Sequence, residues 1–297
     1  MIIDCHCHAG KGDGLTAPWN TEAPIEPYLR RARAAGIDRT IVFPAFNTDY
    51  AAANAGVARL IARYPHRLIG FAMVHPKRDA GRVLELVKRA VVKWRFRGIK
   101  VHWIDGTPTR EICEVAKAFR LPVLTDVGPK PHVVEMFASQ YRDVNFIIPH
   151  VGSFAGDWRV HQQVIDQAVR HPNVYVDTSS VREFDYLVQV VKRAGPRKVL
   201  FGSDGPGLHP GVEIHKVRLL RLPPDQEALI LGGNALNLIR RAIVGGRALK
   251  IARRSSARQL GARGADAIDW LSERRRVLEP ELEWPPMSVE NGSYAVG

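Results

Sequence analysis

Asp4, Cys5, His6, Cys7 and His8 occupy five consecutive positions near the start of the chain, and all are side chains that bind metals or carry protons. Read as a strand, residues 2–8 put Asp4, His6 and His8 on one face and Ile3, Cys5 and Cys7 on the other, because strand side chains alternate with a period of two. Two imidazoles one pleat apart point the same way and can reach one divalent ion. Thiolates also bind zinc well. The alternation, however, sends Cys5 and Cys7 together toward the opposite layer, where small apolar thiols pack. An H-x-H strand alone is also compatible with two hydrogen-bonded core histidines, so further ligands must come from elsewhere in the chain.

The other candidates share one placement. His75, Lys100 with His102, Asp126, His150 and Asp204 each fall at the C-terminal end of an apolar, β-branched run. Those runs cover 39–46, 67–76, 96–103, 121–128, 144–153, 174–181 and 198–206, and with 2–8 they make eight. Between them lie segments such as IEPYLRRARAAG and AGRVLELVKRAVVKW, whose apolar residues recur every three or four positions. Strand and helix alternating eight times predict a closed parallel (β/α)8 TIM barrel of class α/β, which collects the C-terminal strand ends on one rim. Closure brings Asp204, on the eighth strand, beside His6 and His8 on the first. A carboxylate there can ligate an ion or take a proton from water. His150 can act as a base near neutral pH. His75, ahead of Pro76, reads as a strand-end residue.

The 297 residues suit one such barrel. With 45% hydrophobic and 25% charged residues the composition is globular, and no run approaches the ~18 apolar residues of a membrane span. The opening residues do not read as a secretory signal, and three cysteines make no disulfide framework, so a cytoplasmic protein is expected. The net charge of +13 is spread along the chain rather than gathered into a basic tract interleaved with aromatics. Nucleic acid is therefore a disfavoured partner, no membrane is expected, and association into a homo-oligomer stays open. The segment LPPDQEALILGGNALNLIRR reads as two short helices broken at Gly232-Gly233-Asn234, closing the barrel near residue 243. Residues 244–297 read as a basic helical extension followed by a flexible tail.

DCHCH, PHVGS, FGSDGP and ILGGNALNLI, in that order, resemble the amidohydrolase superfamily. The resemblance is to its compact amidohydrolase-2 branch, which holds aminocarboxymuconate semialdehyde decarboxylase type enzymes and pyrone dicarboxylate lactonases. The resemblance covers residues 1 to about 243. It implies a divalent-metal barrel enzyme with His6, His8 and Asp204 holding the ion and His150 in catalysis. One position departs from the pattern: the histidine that usually ends the fifth strand is replaced by Thr125-Asp126. Asp126 then becomes an oxygen ligand, giving two histidines and two aspartates. Zinc is the expected metal, with manganese or iron as alternatives.

His102, Lys100 and Arg182 are the expected contacts to a small, anionic substrate, and Trp103, Trp158 and His209 are further pocket candidates. The activity implied is metal-dependent hydrolysis of an amide, ester or lactone. Nonoxidative decarboxylation on the same metal site, or a degenerate non-catalytic barrel, are the alternatives. A two-metal deoxyribonuclease is disfavoured, since RGIKVHW carries no glutamate at the end of the fourth strand.

Overall fold

The computed structural model describes residues 1–13, 22–249 and 251. Its strands are β1 (Ile3–Lys11), β2 (Glu22–Ala23), β3 (Arg39–Pro44), β4 (Leu68–Met73), β5 (Gly98–Val101), β6 (Val123–Thr125), β7 (Phe146–Ile148), β8 (Val174–Asp177) and β9 (Val199–Leu200). The helices are α1 (Ile25–Ala34), α2 (Tyr50–Arg63), α3 (Val83–Lys93), α4 (Arg110–Phe119), α5 (His132–Gln140), α6 (Trp158–Arg170), α7 (Phe184–Ala194), α8 (Pro210–Leu219), α9 (Pro224–Ala228) and α10 (Asn234–Ile239). All eight expected strands are present and run parallel in the order β1-β3-β4-β5-β6-β7-β8-β9. The two-residue β2, which the sequence pattern did not suggest, pairs antiparallel with the end of β1.

Backbone hydrogen bonds from Cys5 N–H to Phe201 O (2.9 Å) and His8 N–H to Gly205 O (2.7 Å) join β1 to the segment after β9 and close the barrel. Among the described residues no helix is long and apolar enough to cross a membrane.

Alternation along the strands separates the two main clusters of the core, beside a small third one of Phe46, Tyr50 and Met73. One cluster fills the barrel interior with Ile3, Cys5, Ile41, Phe43, Phe71, Leu124, Ile147 and Leu200, and α10 plugs its lower end with Ala235, Leu238 and Ile239. A larger cluster lies between strands and helices. Gly98 on β5 makes room in the interior: a Cβ there would stand 2.4 Å from the Phe71 ring.

β1 departs from simple alternation. Its register against β3 pairs Asp4 with Thr40 but Cys7 with Val42, so three steps on β1 face two on β3. This is a β-bulge, a device that re-aims side chains. Asp4 therefore leaves the face it was expected to share with His6 and His8. It points outward and accepts the Tyr28 hydroxyl at 2.5 Å. The expectation that Cys5 and Cys7 both face the helices is corrected for the same reason: Cys5 packs in the barrel interior and Cys7 in the outer layer with Tyr28.

The closing segment also differs from expectation. Instead of breaking at the glycines, the chain runs from α9 through one π-turn (Leu229–Gly233) into α10. Helical φ/ψ persist at Gly233 and Asn234. Asn234 Nδ2 is tied to Pro196 O and Val199 O at 2.8 and 2.7 Å. Gly232 earns its place by proximity, since a Cβ on it would lie 2.4 Å from Met1 O. Ile243 N–H to Phe119 O (2.8 Å) and Gly245 N–H to Val91 O (2.9 Å) fasten the chain to the barrel at that point. Most of the expected extension and tail lies outside the described residues.

Candidate active site

At the C-terminal rim the strand ends enclose a cavity of about 620 Å³. His6, His8, His102, Asp126, His150 and Asp204 line its polar side, and Trp103, Pro129, Phe154 and Val160 are among its apolar walls. One donor atom each from His6, His8 and Asp204 lie within 4.8 Å of one another, with His6 Nε2 3.4 Å from Asp204 Oδ1.

The partners of the other ring nitrogens explain this convergence. His6 Nδ1 donates to Asp177 Oδ2 at 2.8 Å, and His8 Nδ1 to the Pro44 carbonyl at 3.0 Å. Neither partner can donate, so both rings keep the Nε2 lone pair free. Burial presses the His8 imidazole down to about 4, against the opposing pull of Asp204, and holds it in the neutral form that metals require. Two oriented imidazoles and a carboxylate are a donor set that fits a divalent ion.

His6, His150 and Asp177 form a second group of comparable closeness. There, however, Asp177 is consumed by hydrogen bonds. Beyond His6, it accepts the backbone N–H of His150 (3.0 Å), the N–H of Ser179 (3.0 Å) and the Ser179 hydroxyl (2.5 Å). Burial alone would raise this carboxyl, but His6 and the other donors hold it at about 2.

His150 and Asp126 form the other half of the polar wall. His150 Nδ1 donates to Ser179 O at 3.0 Å, and its Nε2 stands 3.4 Å from Asp126 Oδ1. The other Asp126 oxygen accepts from Lys100 Nζ at 2.5 Å. Burial opposes the charge on Asp126, yet Lys100, His102 and His150 together keep its carboxyl well below the ordinary range. Burial would likewise lower His150. Its bond to Asp126 and the charges of Asp204 and Asp177 outweigh that and raise it to about 9. His102 is dominated by burial, which takes it down to about 3 despite Asp126.

Three consecutive barrel strands end in non-glycine residues held in left-handed backbone: His150 (φ 60°) and Val151 (φ 47°), Ser180 (φ 57°) and Asp204 (φ 56°). Such conformations persist only where surroundings over-determine them, and they gather at functional sites. Here the determinants are carboxylates. Asp177 fixes His150 N–H, Glu213 fixes Ser180 N–H at 3.0 Å, and Ser180 Oγ reaches Asp204 Oδ2 at 3.2 Å. Asp4 accepts both His6 N–H (3.0 Å) and Ser203 N–H (2.9 Å), binding the first barrel strand to the last.

Residues 3–241 match the family described as amidohydrolase. The chain belongs to that family. No curated protein matches this amidohydrolase in sequence. Solved structures share its fold at low identity. A 5-carboxyvanillate decarboxylase from Sphingomonas paucimobilis is 14% identical, with a TM-score of 0.62 over 80% of this chain and 98% of that one. A dihydroxybenzoic acid decarboxylase from Polaromonas sp., holding manganese and 2-nitroresorcinol, is 17% identical, with a TM-score of 0.61 over 80% and 96%. A "probable 2-pyrone-4,6-dicarboxylic acid hydrolase" from Acinetobacter baumannii, with citric acid bound, is 15% identical, with a TM-score of 0.60 over 80% and 99%.

Of the residues expected at the amidohydrolase site, His6, His8, His102, Asp126, His150 and Asp204 meet at the cavity, together with Trp103. Lys100 is fully buried beneath Asp126, its Nζ 4.9 Å from the Phe43 ring centroid. Arg182 lies outside the lining, 5.8 Å from the Phe154 ring centroid. Trp158 is exposed and stacked by Arg159, and His209 caps α8 by accepting Gly211 N–H at 3.1 Å. His75 organises its own turn, Nδ1 accepting the N–H groups of Lys77 and Arg78 at 3.1 Å. Asp177, Ser179 and Phe154 had not been singled out. For Asp177 the signal was available, because it ends its strand as the other site residues end theirs.

Proposed function

We propose that this amidohydrolase is a metal-dependent hydrolase that cleaves an ester, lactone or amide of a small substrate. The convergence of His6 Nε2, His8 and Asp204 on the cavity, with both Nδ1 atoms already committed, carries the reading. Bound there, a divalent ion supplies Lewis acidity toward a carbonyl oxygen and acidifies water. Zinc suits this nitrogen and oxygen set, with manganese or iron as alternatives.

The remaining chemistry belongs to the side chains. Asp204, steadied by Ser180, accepts a proton from the attacking water. His150, whose charged form is favoured by its contact with Asp126, donates a proton to the departing oxygen or nitrogen. Asp126 keeps only Oδ1 free of Lys100, so its main part is to hold that charge on His150, and it can ligate only through the same oxygen. Trp103 and Phe154 give the cavity apolar walls at its mouth.

Nonoxidative decarboxylation is the second reading. It is supported by a fold shared with two decarboxylases, and it would use the same His150 as proton donor. Elemental analysis of protein purified without added metal decides first. About one equivalent in the wild type, lost in His6→Ala, supports both readings, whereas none even after soaking in zinc or manganese defeats both. Parallel assays with aryl esters and lactones, and with dihydroxybenzoates for CO2 release, then separate them.

A further inference from the structure

His161, on α6, is fully buried, and Tyr186 stacks against its ring with centroids 4.2 Å apart. Its Nδ1 lies 3.0 Å from the carbonyl oxygen of Val151. A carbonyl only accepts, so the proton sits on Nδ1 and Nε2 is left as an acceptor. That Nε2 is buried with no hydrogen-bond partner among the described residues. A phenyl ring would fill the same space on Tyr186 without leaving a buried acceptor unpaired, which folding disfavours. What the imidazole adds over an apolar ring is its single bond to Val151.

That bond falls on the turn that carries His150. Val151 is β-branched yet holds φ 47° and ψ 33°, directly after His150 at φ 60° and ψ 23°, a conformation most unfavourable for branched side chains. α6 packs closely on the same turn, for a Cβ on Gly152 would stand 2.7 Å from Val164. Asp177 fixes the entry to the turn through His150 N–H, Ser153 N–H bonds the His150 carbonyl, and His161 fixes the carbonyl of Val151. We propose that His161 is a positioning residue for His150: its Nδ1–H···O=C bond to Val151 holds the left-handed turn that aims the His150 ring into the cavity. The catalytic part of this rests on the reading of His150 as the proton donor.

The test uses the full chain as wild type, His161→Phe and His161→Asn, since the Asn amide offers an N–H near the place of Nδ1–H. Three quantities are measured: metal content, steady-state hydrolysis of 4-nitrophenyl acetate, and long-range ¹H–¹⁵N spectra of histidine-labelled protein. Metal content is expected to be equal in all three. In His161→Phe, kcat is expected to fall about 10- to 100-fold with KM within about twofold, and the His150 ring-nitrogen signals to move. His161→Asn is expected to recover most of both. A kcat for His161→Phe within about twofold of wild type, or an Asn variant as impaired as the Phe variant, overturns the proposal. If the wild type neither binds metal nor cleaves the ester, the hydrolase reading fails separately. The spectra then decide by themselves, and unmoved His150 signals in His161→Phe overturn the positioning role.

Discussion

Asp177 Oδ2 takes the Nδ1 proton of His6 at 2.8 Å while Oδ1 takes the backbone N–H of His150 at 3.0 Å. One carboxylate thus sets the tautomer of the imidazole proposed to hold a metal and the start of the turn bearing the proposed proton donor. Asp177→Asn removes the charge that favours His6 in this orientation. Metal affinity, measured by competition with a chromogenic chelator, is expected to fall about 10- to 100-fold, the usual cost of losing a partner behind a metal-binding histidine. An unchanged affinity would mean that His6 needs no such support.

Lys100 is fully buried beneath Asp126, which borders the cavity, with Nζ and Oδ2 2.5 Å apart. Lys100→Met leaves Asp126 with His150 as its remaining cationic partner and is expected to lower stability by up to about 3–5 kcal/mol, read from the urea midpoint. Lys100→Met combined with Asp126→Leu removes both charges and is expected to be more stable than Lys100→Met alone. A double variant no better than the single would show that the loss comes from packing.

The barrel was legible because each strand announces itself as an apolar run and each site residue sits at the end of one. Asp204 beside His6 followed from closure alone, across the length of the barrel. What strict alternation could not supply was the bulge between Asp4 and Cys7. A bulge adds one residue without changing composition, so it turned Asp4 outward and Cys5 inward unannounced. Lys100 reads as a substrate contact for a similar reason. Its position is right for the rim, but whether its charge reaches the cavity depends on Asp126, a residue on the neighbouring strand. The Gly-Gly pair before Asn234 reads as a helix break because glycine disfavours helices locally. The tertiary contact with Met1 that requires Gly232 is invisible in the sequence.

Glu213 links α8 to the site through Ser180 N–H, and Lys216 Nζ lies 2.7 Å from the same carboxylate. Burial raises its carboxyl above the ordinary 4.5, against the pull of Lys216. The folded state therefore binds this proton more tightly than the unfolded one. Its contribution to stability is fully present below pH 4.5 and is lost as pH rises through the folded value. Glu213→Gln mimics the protonated form. Relative to that variant, the wild type is expected to lose stability as pH climbs from 4.5, and denaturation curves collected in parallel at closely spaced pH values read the difference. A constant difference across the window would exclude Glu213 as the source.

Gly128 places the Trp103 wall. At φ +51° it lies in the left-handed region, and an added Cβ would meet the Trp103 indole at 2.8 Å. Gly128→Ala must therefore shift either the backbone or the ring. The conformation alone costs about 1–2 kcal/mol. Trp103 contributes cavity lining, whereas His6, His8 and Asp204 lie on other strands and keep their partners. The variant is expected to keep its full metal content and to show a several-fold higher KM for bulky aryl esters, with little change for the smallest esters. If KM rose equally for large and small esters, or if metal were lost, Trp103 would be supporting the polar floor rather than shaping the wall, and selectivity would have to be sought at Phe154.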